Sequence, residues 1–574
     1  MFDSLTQPTF PAIRQWEAAG ATLSDALNKY LNLCSSLKTT SLQEGSHPLD
    51  LACRVEAALG TLCPKLDQQL ALSRATLSRT RNELVPPLHH LPEEVISEVF
   101  MNVVFGDYVW EHPDDSSPLS MEDSLTAMRQ HLYRLLRVCS TWRNILLTRD
   151  VFWSTVGTYN LVTWDHFYGS STAGYVDLPI QEAKGADLRL VLSLPLPSDF
   201  RLDALKVHAS RFRTINISAG TKVQPSSIKD TIDIFLKNTP SLLSELSIYH
   251  ERPAIRDHFV LSEDEHIIPH SSSDWTRFLQ IVKSLSVLRI RTVAFSWRHM
   301  VFSNRLVELR LQRIKIGHDS EFSGFLNALS SAPELRDLKL ISAVTFRDEG
   351  VPLGIIQEKQ HIMLPKLESL LLEDLYLNTL ELLSQWLVAG SCRLSFYLTG
   401  CSTRMALSDG SESFRSIEQL CSILRSILVD TLMISTRMRF LGLHDLLKLM
   451  PTLKSLKVDA IWYGPVEWNA LKPASPQTAR AETSGELFPK LEELHLPSSR
   501  VLNASALQGL KDLVASHPLQ KMVLGDLIHC NGTIRHLEEN EDICVWLRSH
   551  VPDFRLVGES VRAPEFYSNV WRLW

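Results

Sequence analysis

Apolar residues in this chain change their spacing along its length. From Ile13 to Leu37 they recur at helical intervals, with Trp16, Leu23, Leu27, Tyr30, Leu31, Cys34 and Leu37 sharing a face. After a break from Gly45 to Pro48 the pattern resumes through Leu51, Val55, Leu59, Leu62, Leu66 and Leu70. The spacing predicts two or three helices, with Pro64 starting a new one or kinking the second. Cys63, Leu70, Leu77 and Leu84 recur every seven residues, but Ser73 and Thr80 hold the companion positions and fewer than four heptads are present. That balance favours packing within the chain over dimerisation.

Downstream of Trp153 the dominant spacing becomes that of short strands. The unit Pro-x-Leu-x-x-Leu-x-(Leu/Val) occurs at Pro333 to Leu340, Pro365 to Leu372, Pro451 to Val458 and Pro489 to Leu496. Copies without the proline are Leu243/Leu246/Ile248, Leu285/Leu288/Ile290, Leu306/Leu309/Leu311, Val429/Leu432/Ile434 and Leu519/Met522/Leu524. In each, the last two apolar residues stand two apart, as a strand with one buried face requires. Between them lie helical stretches such as Phe322-Phe325-Leu326-Leu329, Leu380-Leu383-Trp386-Leu387 and Ile417-Leu420-Ile423-Leu424. A repeated strand-turn-helix unit of one handedness gives a solenoid with parallel strands inside and helices outside. The array resembles irregular leucine-rich repeats, although the Asn expected a few residues after the last Leu is missing from most copies. Tyr159 to Ala186 and Gly464 to Gly485 read as loops that interrupt the array. Ile543, Val545, Trp546, Leu547, Val551 and Phe554, followed by Trp571 and Trp574, read as its C-terminal cap.

Between these regions, Leu91-Pro92-Glu93-Glu94-Val95-Ile96-Ser97-Glu98-Val99-Phe100 reads as a short amphipathic helix, with Val95, Ile96, Val99, Phe100 and Val103 on one face. Leu132, Leu135, Val138, Cys139, Trp142 and Ile145 continue at helical spacing, and Phe152-Trp153 closes the stretch. The Leu-Pro start, the Val-Cys-x-x-Trp-Arg core and the closing Phe-Trp resemble an F-box. That resemblance implies a helical trap whose apolar face docks a Skp-type adaptor, through Leu91, Pro92, Val95, Ile96, Val99, Phe100, Leu135, Val138, Cys139, Trp142 and Trp153. The segment from Gly106 to Met128 separates the two halves by more than the family usually allows. Its Asp, Glu, Pro and Ser residues predict a polar surface loop.

The expected fold class is therefore α plus α/β: a helical region at 1–87, an F-box at 88–156 with an acidic insertion at about 106–128, and an irregular leucine-rich-repeat solenoid at 157–574. A chain of 574 residues exceeds what one core usually organises, in keeping with a repeat array. Net charge of -7 argues against a surface built for nucleic acid, and no long apolar run predicts a membrane span. Nine cysteines without Cys-x-x-Cys or zinc spacing predict reduced thiols and a cytoplasmic or nuclear protein. No nucleophile elbow, phosphate loop or metal motif is present, so the expectation is no catalytic residues, no metal and no cofactor. Two histidines four apart in Glu263-Asp264-Glu265-His266-Ile267-Ile268-Pro269-His270 are separated by a proline and read as a surface loop.

Side chains that alternate with the buried leucines would face a target. Arg289, Arg291, Arg310, Lys339, Lys457 and His495 are the candidates, with a basic excess suited to an acidic or phosphorylated segment. The F-box resemblance implies a substrate receptor of a Skp-cullin-F-box ubiquitin ligase. Such a protein is a monomer within a hetero-complex, binding the adaptor, through it a cullin, and a protein target. The alternative is a repeat scaffold with no ubiquitin ligase role.

Overall fold

The structure is a computed structural model that describes residues 10–84, 91–106, 121–158, 187–196, 205–237, 240–251, 261–347, 364–386, 392–425, 427–435, 442–459, 462–473, 488–497, 500–501, 506–530 and 533–558. The chain divides into two compact units, Met1–Ile96 and Ser97–Trp574.

The first unit holds α1 (Pro11–Gln43), α2 (Pro48–Ala57) and α3 (Cys63–Leu84), with a π-helical turn at Ala58–Leu62 joining α2 to α3. Pro11 and Pro48 stand in first turns, where a missing N–H costs no bond. Gly45 ends α1 with a φ of 84°, a conformation that L side chains resist. Pro64 is likewise absorbed at the start of α3, just after the π turn. No described residue of these helices is buried: Trp16 is 50% exposed and Leu31 63%. The expected intramolecular packing is therefore weak. Leu27, Leu51, Cys63 and Leu66 are half-covered, and the rest of the apolar seam faces solvent.

Helix α4 (Glu93–Phe105) crosses the boundary between the units, and α5 (Met121–Leu136), α6 (Ser140–Thr148) and a 3-10 turn at Asp150–Trp153 follow. Helix α5 begins inside the span expected to be a polar loop. Met121, Leu125, Met128 and Leu132 recur at helical spacing and are buried, and burial of that stripe outweighs the polar residues between them. The remainder of the insertion, 107–120, lies outside the described residues, as does the stretch 159–186.

A parallel sheet of fourteen strands runs in strict chain order: β1 (Thr155–Thr158), β2 (Leu188–Leu194), β3 (Phe212–Ala219), β4 (Glu245–His250), β5 (Val287–Arg291), β6 (Glu308–Gln312), β7 (Asp337–Ile341), β8 (Ser369–Glu373), β9 (Arg393–Leu398), β10 (Thr431–Ile434), β11 (Ser455–Val458), β12 (Glu493–Leu496), β13 (Lys521–Gly525) and β14 (Asp553–Val557). Sequential parallel pairing with helices on one face makes this a leucine-rich-repeat-like α/β solenoid. All nine leucine-spaced copies lie on strands of this sheet. The crossovers include α7 (Pro225–Lys237), α8 (Ser273–Val282), α9 (Phe322–Ser330), α10 (Leu377–Trp386), α11 (Ile417–Leu424), α12 (Leu443–Lys448), α13 (Pro465–Ala470), α14 (Ala506–Ser516) and α15 (Asp542–His550). The three stretches expected to be helical are α9, α10 and α11. Helix α13 corrects the loop expected from Gly464: buried Trp468 stacks on Tyr463 at 4.3 Å and anchors it, while 474–487 lie outside the described residues. The segment expected as a cap supplies α15 and the last strand, burying Ile543, Leu547 and Val551 but exposing Val545. Trp571 and Trp574 lie outside the described residues.

Core leucines register across the sheet as Leu246, Leu288, Leu309, Leu338, Leu370 and Leu394, all buried. Between β5 and β6 a 3-10 turn at Trp297–His299 replaces a helix. Phe295 and Trp297 fill the space instead, with Phe295 stacked on Phe278 at 4.8 Å and Trp297 edge-on to Phe325. The absence of the repeat asparagine also has a structural answer. Thr292, Arg313, Ser342 and Asp374 each follow a strand with φ between 49° and 55°, and each amide donates to a carbonyl of the next strand at 2.7–3.0 Å. The positions after them, Val293, Ile314, Ala343 and Leu375, are buried apolar residues where an asparagine ladder would otherwise stand.

Candidate functional site

Two surfaces carry the residues singled out by the sequence. The first is the helical stretch α4–α6. Here the single face expected on α4 divides into two stripes. Ile96 and Phe100 turn inward with Val104, Ile96 being 3% exposed, whereas Val95 and Val99 are 44% and 42% exposed. Neighbours four apart lie above one another on a helix while adjacent residues differ by about 100°, so one apolar helix serves two surfaces. Leu91 and Pro92 are exposed ahead of α4, and the Pro92 carbonyl accepts the Val95 and Ile96 amides at 3.0 and 3.2 Å.

The second half is not one continuous helix. Leu135 is buried near the end of α5, Val138 is 53% exposed in the turn, and Cys139 caps α6 by accepting the Trp142 amide at its Sγ, 3.5 Å away. Half-buried Trp142 packs its ring against Phe100 with centroids 4.8 Å apart. Trp153 is fully buried and donates its indole N–H to the Leu146 carbonyl at 2.8 Å. Of the eleven expected adaptor residues, Ile96, Phe100, Leu135 and Trp153 thus build the core, and Leu91, Pro92, Val95, Val99 and Val138 present apolar surface. The inner face of α5 meets the sheet: Arg129 donates to the Thr155 carbonyl at 2.8 Å, and a Cβ on Gly157 would lie 2.4 Å from a Leu125 methyl. Gly157 permits that approach, and α5 covers the first strand.

The second surface is the sheet face turned away from the helices. Three rows of side chains cross it. Glu245, Val287, Glu308, Asp337 and Ser369 form one; Ser247, Arg289, Arg310, Lys339 and Leu371 form the next; Tyr249, Arg291, Gln312, Ile341 and Glu373 form the third. The basic row therefore lies beside an acidic one, and the expected open positive face is neutralised internally. Arg289 donates two bonds to Glu308 at 2.7 and 2.6 Å, and Lys339 pairs with Asp337 at 2.9 Å. Burial lowers the pKa of Arg310, opposed by Glu373, and its guanidinium reaches Gln312 at 3.5 Å. Arg291 is buried and stacks 4.3 Å from the Tyr249 ring, and burial brings its pKa down to about 10. Lys457 and His495 are buried as well, adjacent in register on β11 and β12. These six residues occupy the expected sheet face but do not make a patch of unpaired charge.

A feature the repeat pattern did not single out stands on the same face. Met433 is buried beneath Leu371 and Tyr397, which are half-buried. Burial raises the Tyr397 pKa, with Asp459 and Glu373 adding to it, so the ring carries a neutral hydroxyl. Tyr397 escaped notice because Arg393–Leu398 lacks the leucine spacing, although its alternation of Leu394, Phe396 and Leu398 is a strand signal. In the stretch from Glu263, His270 pairs with Glu263 at 2.6 Å and stacks on His299. Among the described residues no group of three His, Cys, Asp or Glu is placed to hold a metal, and no helix is long and apolar enough to cross a membrane.

No family model matches the chain, and no curated protein matches it. Among solved structures it is similar to a chain of the crystal structure of a TLR13–ssRNA13 complex, at 16% identity and a TM-score of 0.31. That match covers 66% of this chain and 38% of the other. The architecture assigned above rests on the strand register.

Proposed function

We propose that this protein is a non-catalytic receptor: α4–α6 dock a Skp-type adaptor and through it a cullin, and the sheet face holds a protein target for ubiquitin transfer by a recruited enzyme. The mechanism is proximity, and the chain makes and breaks no covalent bond. The observation that carries the reading is the second apolar stripe of α4. Val95 and Val99 expose aliphatic surface on a helix whose other stripe is already buried, within a sequence that resembles an F-box. On the sheet face, half-buried Tyr397 and Leu371 over buried Met433 offer an aromatic and apolar surface, and the paired charges around them supply a polar rim. The receptor works in the cytoplasm or nucleus.

Packing of α5 on β1 favours a second reading, in which the helices serve chiefly to cover the end of a repeat scaffold. Co-purification of the full chain with adaptor and cullin separates the two. The variant to use is Val95→Glu/Val99→Glu, since a charge at buried Ile96 would damage the core as well. Receptor function predicts capture of both partners by the wild type and loss with the variant. Absence of capture by a folded wild type leaves the scaffold.

A further inference from the structure

We infer that α1–α3 are a homodimerisation element, closing with the same helices of a second copy into a four-helix bundle. This departs from the monomer expected above, and it stands whether or not the adaptor reading does. Helix α1 carries a heptad seam: Trp16, Leu23, Tyr30 and Leu37 recur every seven residues, and Ile13, Leu27 and Cys34 stand three residues before members of that series. All but Leu27 are exposed. Helix α3 repeats the device with Leu70, Leu77 and Leu84, also exposed. The two seams belong to one hairpin. Only the four residues Glu44–His47 separate α1 from α2, a connection short enough to turn the chain back into an antiparallel neighbour.

The two helices do not bury these stripes against each other, since no described residue of the hairpin is buried, and both seams are left for further helical partners. A heptad period demands helical partners, and a two-fold axis supplies two more helices with the same period and the same face. The size is sufficient. A helix of 33 residues is about 50 Å long and two side by side are about 20 Å wide, giving roughly 1,000 Å² per copy against about 800 Å² for a stable complex. Charge does not oppose it: residues 11–84 hold eight Lys and Arg against seven Asp and Glu, so two copies meet nearly neutral.

Sedimentation equilibrium of the full chain at micromolar concentrations tests the proposal. The expected mass is twice 65.0 kDa, falling to 65.0 kDa in Leu23→Glu/Leu70→Glu with the melting of the sheet unchanged. Because that variant also risks melting the hairpin, a second one strengthens the seam. Gly20 occupies a heptad position where an added Cβ meets nothing within 4 Å, so Gly20→Leu tightens the dimer about tenfold. A monomeric wild type, a dimer that survives the double glutamate variant, or an affinity untouched by Gly20→Leu overturns the proposal.

Discussion

The hairpin and the sheet are built from similar apolar residues, yet they use them in opposite ways. In the sheet Leu288, Leu309, Leu338 and Leu370 each lie between leucines of the strands on either side, so burial is completed within the chain. In the hairpin the leucines recur just as regularly, yet none is buried and most are exposed. The difference is geometric. A parallel strand finds its neighbours in the next repeats, whereas a two-helix hairpin offers each seam only one partner. Regular apolar spacing therefore marks a demand for a partner, and its location decides whether the partner is internal.

The largest effect expected from this contrast comes from truncating matched leucines. Leu338→Ala, at the centre of the sheet, lowers stability by about 2–5 kcal/mol, whereas Leu77→Ala changes the unfolding of the sheet by less than about 0.5 kcal/mol. Urea denaturation followed by tryptophan fluorescence makes the comparison, and equal losses would erase the distinction. Next is Arg347, which is buried and pairs with Asp319 at 2.7 Å and Glu381 at 2.9 Å. Arg347→Ala leaves two sheltered carboxylates facing each other and costs about 3 kcal/mol in the same assay; a loss under about 1 kcal/mol would show that water screens them.

The pH dependence of the sheet supplies a third test. Buried His517 contacts the Leu471 carbonyl through Nε2 at 2.9 Å and accepts the Leu491 amide at Nδ1, 3.4 Å away, an arrangement that requires the neutral ring. Burial lowers its pKa below the ordinary value of 6.5, against the opposing pull of the Leu471 carbonyl. Below about pH 6.5 the unfolded chain takes up a proton that the folded chain refuses, so stability falls with pH until the folded pKa is reached, at up to about 1.4 kcal/mol per unit. His517→Gln flattens that slope. Half-buried His266 shifts in the same direction and keeps part of it, so the readout is the difference between the two profiles. Superimposable profiles would remove His517 from the account. The smallest effect is the Arg289–Glu308 pair, half-exposed on the sheet face, where a double-mutant cycle with Gln at both positions gives about 1 kcal/mol.

The leucine-spaced strands were legible because Leu338 and Leu340 repeat a spacing that no helix shares, and their burial leaves little freedom of register. Strands β2 and β3 were not: Leu188 to Leu194 is mostly apolar, Phe212 to Ala219 mixes apolar with polar residues, and neither carries the leucine triplet that marks a repeat. Helix α13 was hidden behind Gly464 and Pro465, which start the helix instead of a loop. At the candidate site, the sequence found the residues of α4 but not the division between Ile96 and Val95, because adjacent apolar residues satisfy either face. The basic row was read without its acidic neighbour because Arg289 and Glu308 are on different strands and meet only through the register.

The proposed receptor role stands on the exposed stripe of α4, and its most direct test is calorimetric titration of the purified full chain with a Skp-type adaptor. The account predicts saturable one-to-one binding per chain, weakened at least about tenfold by Val99→Glu and unaffected by Leu371→Glu on the sheet face, with both variants melting as the wild type does. No heat of binding with a folded wild type, or equal affinity for Val99→Glu, would contradict it.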